Sequence, residues 1–398
     1  MSALVNKSDR TQQADATARV SQSESRDARF SFPMIDALRG IAALLVVVYH
    51  VVELFPWPGY PAHGPAHWLR YGWMGVDLFF VISGFVISLS AFKLLDAGSA
   101  ERFRRIFVRH RLARIVPLYY LTALLFVISM EPQLFFEADS WKNWLSHLFF
   151  IHNFFPSLSG SINGANWSVA TEMQFYVLIL AIAPWLFRAR VPVIIGVSLA
   201  ISWAWRWFVF RSIDASQPNG AFLLFCYGTQ LPGMLDEFAF GIAAARFLRG
   251  PHGADLLGRK TRITGAFYLA AAITLAGTAV AWALNPSYAN TLPAFIFFRS
   301  ALGLSCTMLI LFACIHSGAV AMRFSAPLRY MGTISYGIYL WHLLVINPLM
   351  RFPWLTGSRA MPVVLGVTIL LAMISWHFFE SPILDKFVRK NRTRASTS

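Results

Sequence analysis

Charge is what this sequence has least of. Only 13% of its 398 residues are Asp, Glu, Lys or Arg, about half the share usual in soluble domains. A chain that is also 57% hydrophobic, with a mean hydropathy of +0.54, has too little polar surface for a soluble globule. The expected fold is therefore all-α and polytopic: an integral membrane protein of about ten transmembrane helices in one bundle. Acid is scarcer still than base, 19 residues against 34, for a net charge of +15. That excess does not indicate a nucleic-acid partner, because the Lys and Arg residues fall between apolar runs rather than interleaving with aromatics on an accessible surface. Cysteine is nearly missing. Cys226, Cys306 and Cys314 lie in apolar stretches without CxxC spacing, so neither a disulfide framework nor a metal site is expected. There is no Walker A motif and no GxGxxG motif, which sets aside nucleoside triphosphatases and Rossmann binders. No internal repeat of the inverted-transporter kind is present either.

What the sequence does have is long apolar runs. Residues 1–30, rich in Ser, Gln, Asp, Arg and Ala, read as a disordered tail, and 31–388 as one membrane domain followed by a basic tail at 389–398. The first apolar run starts too late for a cleavable signal and is expected to stay as a span. Ten segments of near-spanning length lie at about 34–55, 71–92, 115–130, 167–187, 191–210, 221–245, 263–284, 293–317, 330–350 and 361–380. Of the 34 basic residues, 27 fall on the side of the termini and seven on the other: Arg70, Lys142, Arg206, Arg211, Arg299, Arg351 and Arg359. By the positive-inside rule this places both termini in the cytoplasm, with the spans in contact with lipid. The long connection 131–166 contains the run WKNWLSHLFFIHNFF, whose Trp and Phe content suits a segment lying at the outer interface. Such a segment either roofs a site or simply lies on the bilayer.

A few ionisable residues nevertheless fall within the apolar segments. Arg39 and His50 are eleven residues apart in RGIAALLVVVYH, so on a helix they share one face about 16 Å apart along the axis. Asp77, Glu172, Asp236, Glu237, Arg299 and His342 are the others at membrane depth. Ionisable groups at that depth face the interior and mark functional sites or buried pairs that fix helix packing. His50 is the side chain suited to move a proton near neutral pH. Asp77, Asp236 and Glu237 read more readily as packing groups, and Arg299 is open between the two roles. Arg111 and Arg114, spaced i, i+3 in a dense basic stretch before the third span, suit forked contacts to phosphate, although topology charge alone would also account for many arginines there.

Six pieces in order, FPMIDALRGIAALLVVVYH, GWMGVDLFFVISGFVIS, FVRHRLARIVPLYYL, NWSVATEMQFYVL, GTISYGIYLWH and FFESP, resemble the bacterial membrane acyltransferase type three family from about Phe32 to Leu384. The resemblance implies transfer of an acyl group, typically acetyl, from cytoplasmic acyl-CoA to a hydroxyl of an extracytoplasmic saccharide. The family's acceptors include O-antigen of lipopolysaccharide, exopolysaccharide and nodulation-factor glycans and, in some members, macrolides; a lipid-linked glycan would present a hydroxyl in the same way. The resemblance also implies a bacterial inner membrane. It makes Arg39 and His50 the family's first-span pair, Arg111 and Arg114 its paired arginines, Glu172 the acid after Trp167-Ser168, His342 the histidine closing its Tyr-rich motif, and Glu380 with Pro382 its closing acidic-x-proline. Some members add a periplasmic hydrolase-like domain; this sequence resembles the stand-alone type.

Together these readings give one expected mechanism. The donor's phosphates sit on Arg111, Arg114 and Arg39, the pantetheine arm carries the thioester to His50, and His50 deprotonates the acceptor hydroxyl or itself becomes acylated. Glu53 or Glu172 orients the imidazole. No cofactor is expected to stay bound; acyl-CoA is a substrate. A proton-coupled transporter or flippase also places His, Glu and Arg in a bundle, but it leaves the arginine pair and the ordered motifs without a role.

Overall fold

The computed structural model describes residues 32–96, 100–258, 263–315 and 319–387, so the expected tails and Lys260 lie outside the described residues. Every regular element among these is helical. Among the described residues eight stretches are long and apolar enough to cross a membrane, and the protein is a polytopic helical membrane protein. In chain order, α1 spans Pro33–Leu54, a 3-10 turn at Pro65–Met74 leads into α2 at Gly75–Asp96, and α3 spans Ala100–Met130. The long connection holds α4 (Ser140–Leu148), followed by α5 (Asn166–Arg188) and α6 (Val191–Ser212). Then come α7 (Gly220–Gly228), α8 (Leu231–Arg249), α9 (Ile263–Leu284), α10 (Leu292–Ile315), α11 (Ala326–Thr333), α12 (Ser335–Leu349) and α13 (Gly357–Ser375), which ends in a π turn at Trp376–Glu380.

Two of the ten expected segments are interrupted. The sixth is split into α7 and α8 at Thr229-Gln230, because Pro232 has no N–H to carry the ladder back to Gly228 and sits instead in the first turn of α8, where none is needed. The freed groups find partners: the Thr229 carbonyl accepts from Thr171 Oγ1 at 3.2 Å, and Gln230 Nε2 donates to the Asn153 carbonyl at 3.2 Å. The ninth is split into α11 and α12 at Ile334. Here tertiary packing decides. A Cβ on Gly332 would collide with the Asp36 carbonyl, and one on Gly40 with the Leu328 carbonyl, so α11 lies backbone to backbone on α1. The third segment differs in the other direction. Its helix begins at Ala100, fifteen residues earlier than expected, because the basic stretch before it is made of good helix formers, and Arg111 and Arg114 therefore ride on α3 instead of a loop.

The centre of the bundle is aromatic. Phe175 on α5 stacks on Phe238 of α8 at 4.0 Å between centroids, and Phe80 of α2 closes on the same ring at 4.8 Å. The Trp and Phe side chains of the long connection stay largely outside it: Phe136, Trp141 and Phe149 are exposed, as suits an interfacial segment.

Candidate active site

Helix α1 carries two functional side chains into two different cavities. Arg39, in its second turn, lines a cavity of about 180 Å³ together with Arg111 and Arg114 of α3, Ser83 of α2, Ser168, Glu172 and Tyr176 of α5, and Tyr336 of α12. His50, three turns further along the same face, lines a second cavity of about 430 Å³ with Tyr49, Trp73, Asp77, Trp167, Tyr288 and Arg299. The eleven-residue spacing does what helix geometry requires of it.

In the arginine cavity three guanidiniums face one carboxylate. Ser83 Oγ and the Tyr176 hydroxyl both donate to Glu172 Oε1, the latter at 2.8 Å. Arg111 stacks over the rings of Phe107 and Tyr176 at 5.6 and 5.5 Å, which fixes its plane. Arg39 lies 3.7 Å from Asp36, a half-exposed residue one turn back. The balance is positive, suited to a polyanion, and two of the three arginines sit on one face of α3. The three arginines expected to hold a donor's phosphates all line this one cavity.

In the histidine cavity His50 Nδ1 lies 2.8 Å from the Val46 carbonyl. A carbonyl only accepts, so Nδ1 carries the proton and Nε2 is left with its lone pair. His342, buried on α12, uses its Nδ1 in the same way against the Tyr339 carbonyl, and its Nε2 has no partner in the structure. The two rings are neighbours, with centroids 4.8 Å apart. Arg299 is held in the same cavity by an ion pair with Asp77 and lies between Trp73 and Tyr288, 5.6 Å from each ring.

Neither carboxylate expected to orient His50 does so. Glu53 is on the exposed end of α1 and bonds Arg70 Nη1 at 2.8 Å, since an unpaired acid at the bundle rim finds the nearest arginine. Glu172 belongs to the arginine cavity, where Ser83 and Tyr176 engage it. The backbone takes over: a carbonyl of His50's own helix sets its tautomer. Asp77 pairs with Arg299, as a packing role requires, yet the pair lines the histidine cavity. Glu237 is fully buried beside Asp77, and Glu380 accepts from Ser375 Oγ at 3.0 Å in the π turn, lining neither cavity but within electrostatic reach of Arg114 and Tyr336 at the arginine cavity.

Sequence reasoning missed Arg206. It was counted among the charges beyond the membrane, but it is fully buried and forks onto Asp236, Nη1 to Oδ2 at 3.0 Å and Nη2 to Oδ1 at 2.8 Å. Its place inside WAWRWF, with apolar residues on both sides, was the available signal. Ser168, Tyr336 and Tyr339 were missed as site residues although each lay in a recognised motif.

A family model described as an acyltransferase domain matches residues 32–378. This chain belongs to the type three acyltransferases. Family members of similar sequence include a peptidoglycan O-acetyltransferase of Listeria monocytogenes, 26% identical over 384 residues that cover 90% of this chain and 57% of the relative. A putative peptidoglycan O-acetyltransferase of Bacillus subtilis is 28% identical, covering 88% of this chain and 54% of its own length. An O-acetyltransferase of Staphylococcus aureus is 25% identical, with 89% and 57% covered. The chain thus spans somewhat over half the length of these family members. No solved structure matches it.

Proposed function

We propose that the protein moves an acyl group, acetyl in the simplest case, from acyl-CoA on the cytoplasmic side to a hydroxyl of a saccharide on the other. The observation that carries this reading is that α1 presents Arg39 to a cavity of gathered arginines and His50 to a separate, aromatic cavity. The former suits the phosphates of a donor, with Arg111 and Arg114 as the forked contacts and Arg39 as the third. The latter suits an acceptor ring, whose apolar faces pack on Trp and Tyr. The family members named for peptidoglycan O-acetylation support a glycan acceptor, and the excess of basic residues on the side of the termini supports cytoplasmic termini, the more so because Arg206 and Arg299, two of the seven on the other side, are buried in the bundle.

In this reading His50 Nε2 takes the proton of the acceptor hydroxyl as its oxygen attacks the thioester carbon. The C–S bond then breaks, and the proton passes from the imidazolium to the leaving thiolate. Val46 holds the ring in the tautomer that leaves Nε2 basic, and Arg299, fixed by Asp77, supplies positive charge to the cavity where the oxyanion forms. The test is thiol release from acetyl-CoA by purified protein in lipid nanodiscs, with wild type and His50→Gln compared. Release by the wild type that a well-folded His50→Gln variant lacks supports the assignment, and no release from the wild type with any glycan acceptor overturns it.

A further inference from the structure

The arginine and histidine cavities meet at a wall, and two side chains, Val76 and Tyr339, line both of them. Val76 is in the first turn of α2, directly after Gly75, where a Cβ would press on the Ala42 carbonyl; α2 therefore enters the bundle tight against α1 with Val76 between the cavities. Tyr339 comes from the opposite side, on α12. Its ring meets Phe79 edge-on, with centroids 6.1 Å apart. Its hydroxyl donates to the Ala165 carbonyl at 3.0 Å and lies 2.6 Å from Ser168 Oγ, so the far end of the side chain is fastened to the start of α5. Its backbone carbonyl receives the Nδ1 proton of His342.

A donor bound on the arginines cannot bring its thioester to His50 past a closed wall. A bundle without the wall would be open from one cavity to the other, exposing the thioester to water and the membrane to leakage. Two neutral hydroxyl hydrogen bonds are individually modest in net strength, a latch that holds at rest and yields to a bound ligand.

We propose that Tyr339 is a movable partition between the two cavities, latched by Ala165 and Ser168 and displaced when the donor's arm advances. The identity of that donor rests on the reading under Proposed function; the partition itself does not. Gly164 lines the histidine cavity, and a Cβ there meets only Leu343 Cδ1, at 3.6 Å, so Gly164→Cys is a tolerable probe position.

The experiment places Gly164→Cys in a background with Cys226, Cys306 and Cys314 changed to Ala and applies a membrane-impermeant sulfonated maleimide to sealed vesicles of each orientation. Reaction from the arginine-cavity face is expected to be at least tenfold faster once Tyr339→Ala is added. Ser168→Ala, which keeps the ring and removes part of the latch, should give a smaller rise of severalfold, and it serves where Tyr339→Ala fails to fold. Equal rates from that face in the parent and in folded variants overturn the partition. In a second arm, thiol release from acetyl-CoA without acceptor reports hydrolysis, in which water oxygen bonds to the acyl carbon, the C–S bond breaks, and acetate and thiol depart. Tyr339→Ala should raise it fivefold or more. If labelling shifts as stated while no variant releases thiol, the donor assignment falls and the partition stands.

Discussion

The imidazoles of His50 and His342 lie side by side, centroids 4.8 Å apart and planes inclined by 52°, although they are separated by nearly the whole length of the membrane domain. Each gives its Nδ1 proton to a carbonyl of its own helix and keeps Nε2 free. Both rings are thereby set in the same tautomer by backbone alone, each with an unprotonated Nε2.

This arrangement sets a graded expectation for the two histidines. His50→Gln removes the base and should lower kcat for acyl transfer by about 10²- to 10⁴-fold while leaving KM for acetyl-CoA near wild type. His342→Gln removes the ring packed on His50 and its Nδ1 bond to the Tyr339 carbonyl, and should cost about tenfold, roughly one neutral hydrogen bond. Steady-state kinetics of both variants check this; a His342→Gln loss as large as that of His50→Gln would move the base from one ring to the other.

Loss of a guanidinium from the arginine cavity should appear in donor affinity and not in the chemical step. Arg111→Ala and Arg114→Ala are each expected to raise KM for acetyl-CoA by about ten- to a hundredfold, the value of a charge-assisted phosphate contact. Lysine should restore only part, since it lacks the fork and, at 111, the flat stack on Tyr176. Unchanged KM in both alanine variants would reduce the two arginines to topology charges.

Arg206 and Asp236 form a buried fork completed by the Ile296 carbonyl at 2.8 Å and by Ser300. Removing one partner strands the other, so Arg206→Ala or Asp236→Ala should cost about 3–5 kcal/mol. Thermal unfolding in detergent, followed by size exclusion, is the measurement. The double variant Arg206→Leu/Asp236→Leu should recover a good part of the loss, and a double variant worse than either single would contradict the ion-pair account.

Outside the spans, His147 of α4 and His152 stack face to face at 3.9 Å with planes within 3°. Burial lowers both, His147 to about 4 and His152, with the added repulsion of His147, to about 3. Their folded values lie below the unfolded value of about 6.5, so the unfolded segment binds more protons as pH falls. Stability of the connection is therefore fully present above pH 6.5 and declines from there down to about 4 for the part due to His147 and about 3 for the part due to His152. The protection factors of residues 140–155, with the intrinsic pH dependence of exchange divided out, should fall on acidification from pH 7 to 5, and His152→Phe, which keeps a ring in the stack, should remove roughly half of that dependence and leave the part that belongs to His147.

Much of this was legible in the sequence, and the reasons for the rest are physical. Segment positions follow from hydropathy, and the Arg39–His50 spacing projects correctly onto α1 because a helix fixes which side chains share a face. Hydropathy is blind to continuity, however: the breaks at Gln230 and Ile334 depend on one proline and on close backbone contact at Gly332. Partners of carboxylates were not legible. Glu53 is one turn from His50 in sequence yet meets Arg70, and Asp77 meets Arg299, because such pairings are set by which helices become neighbours. Arg206 looked like a boundary charge because a window average cannot tell a charge at the rim from one buried opposite an acid.

The Asp77–Arg299 pair is also a statement about biogenesis. Its halves are 222 residues apart in the chain, so at roughly 5–20 residues per second the carboxyl of α2 is synthesised some tens of seconds before its counterion. An acid within a span is costly to insert alone, up to about 2.5–3.5 kcal/mol at the centre and less near an end such as the first turn of α2 where Asp77 lies. Until α10 emerges, the early helices carry an uncompensated charge and have every thermodynamic reason to stay beside the insertion machinery, which makes release of the N-terminal half contingent on completion of the C-terminal one.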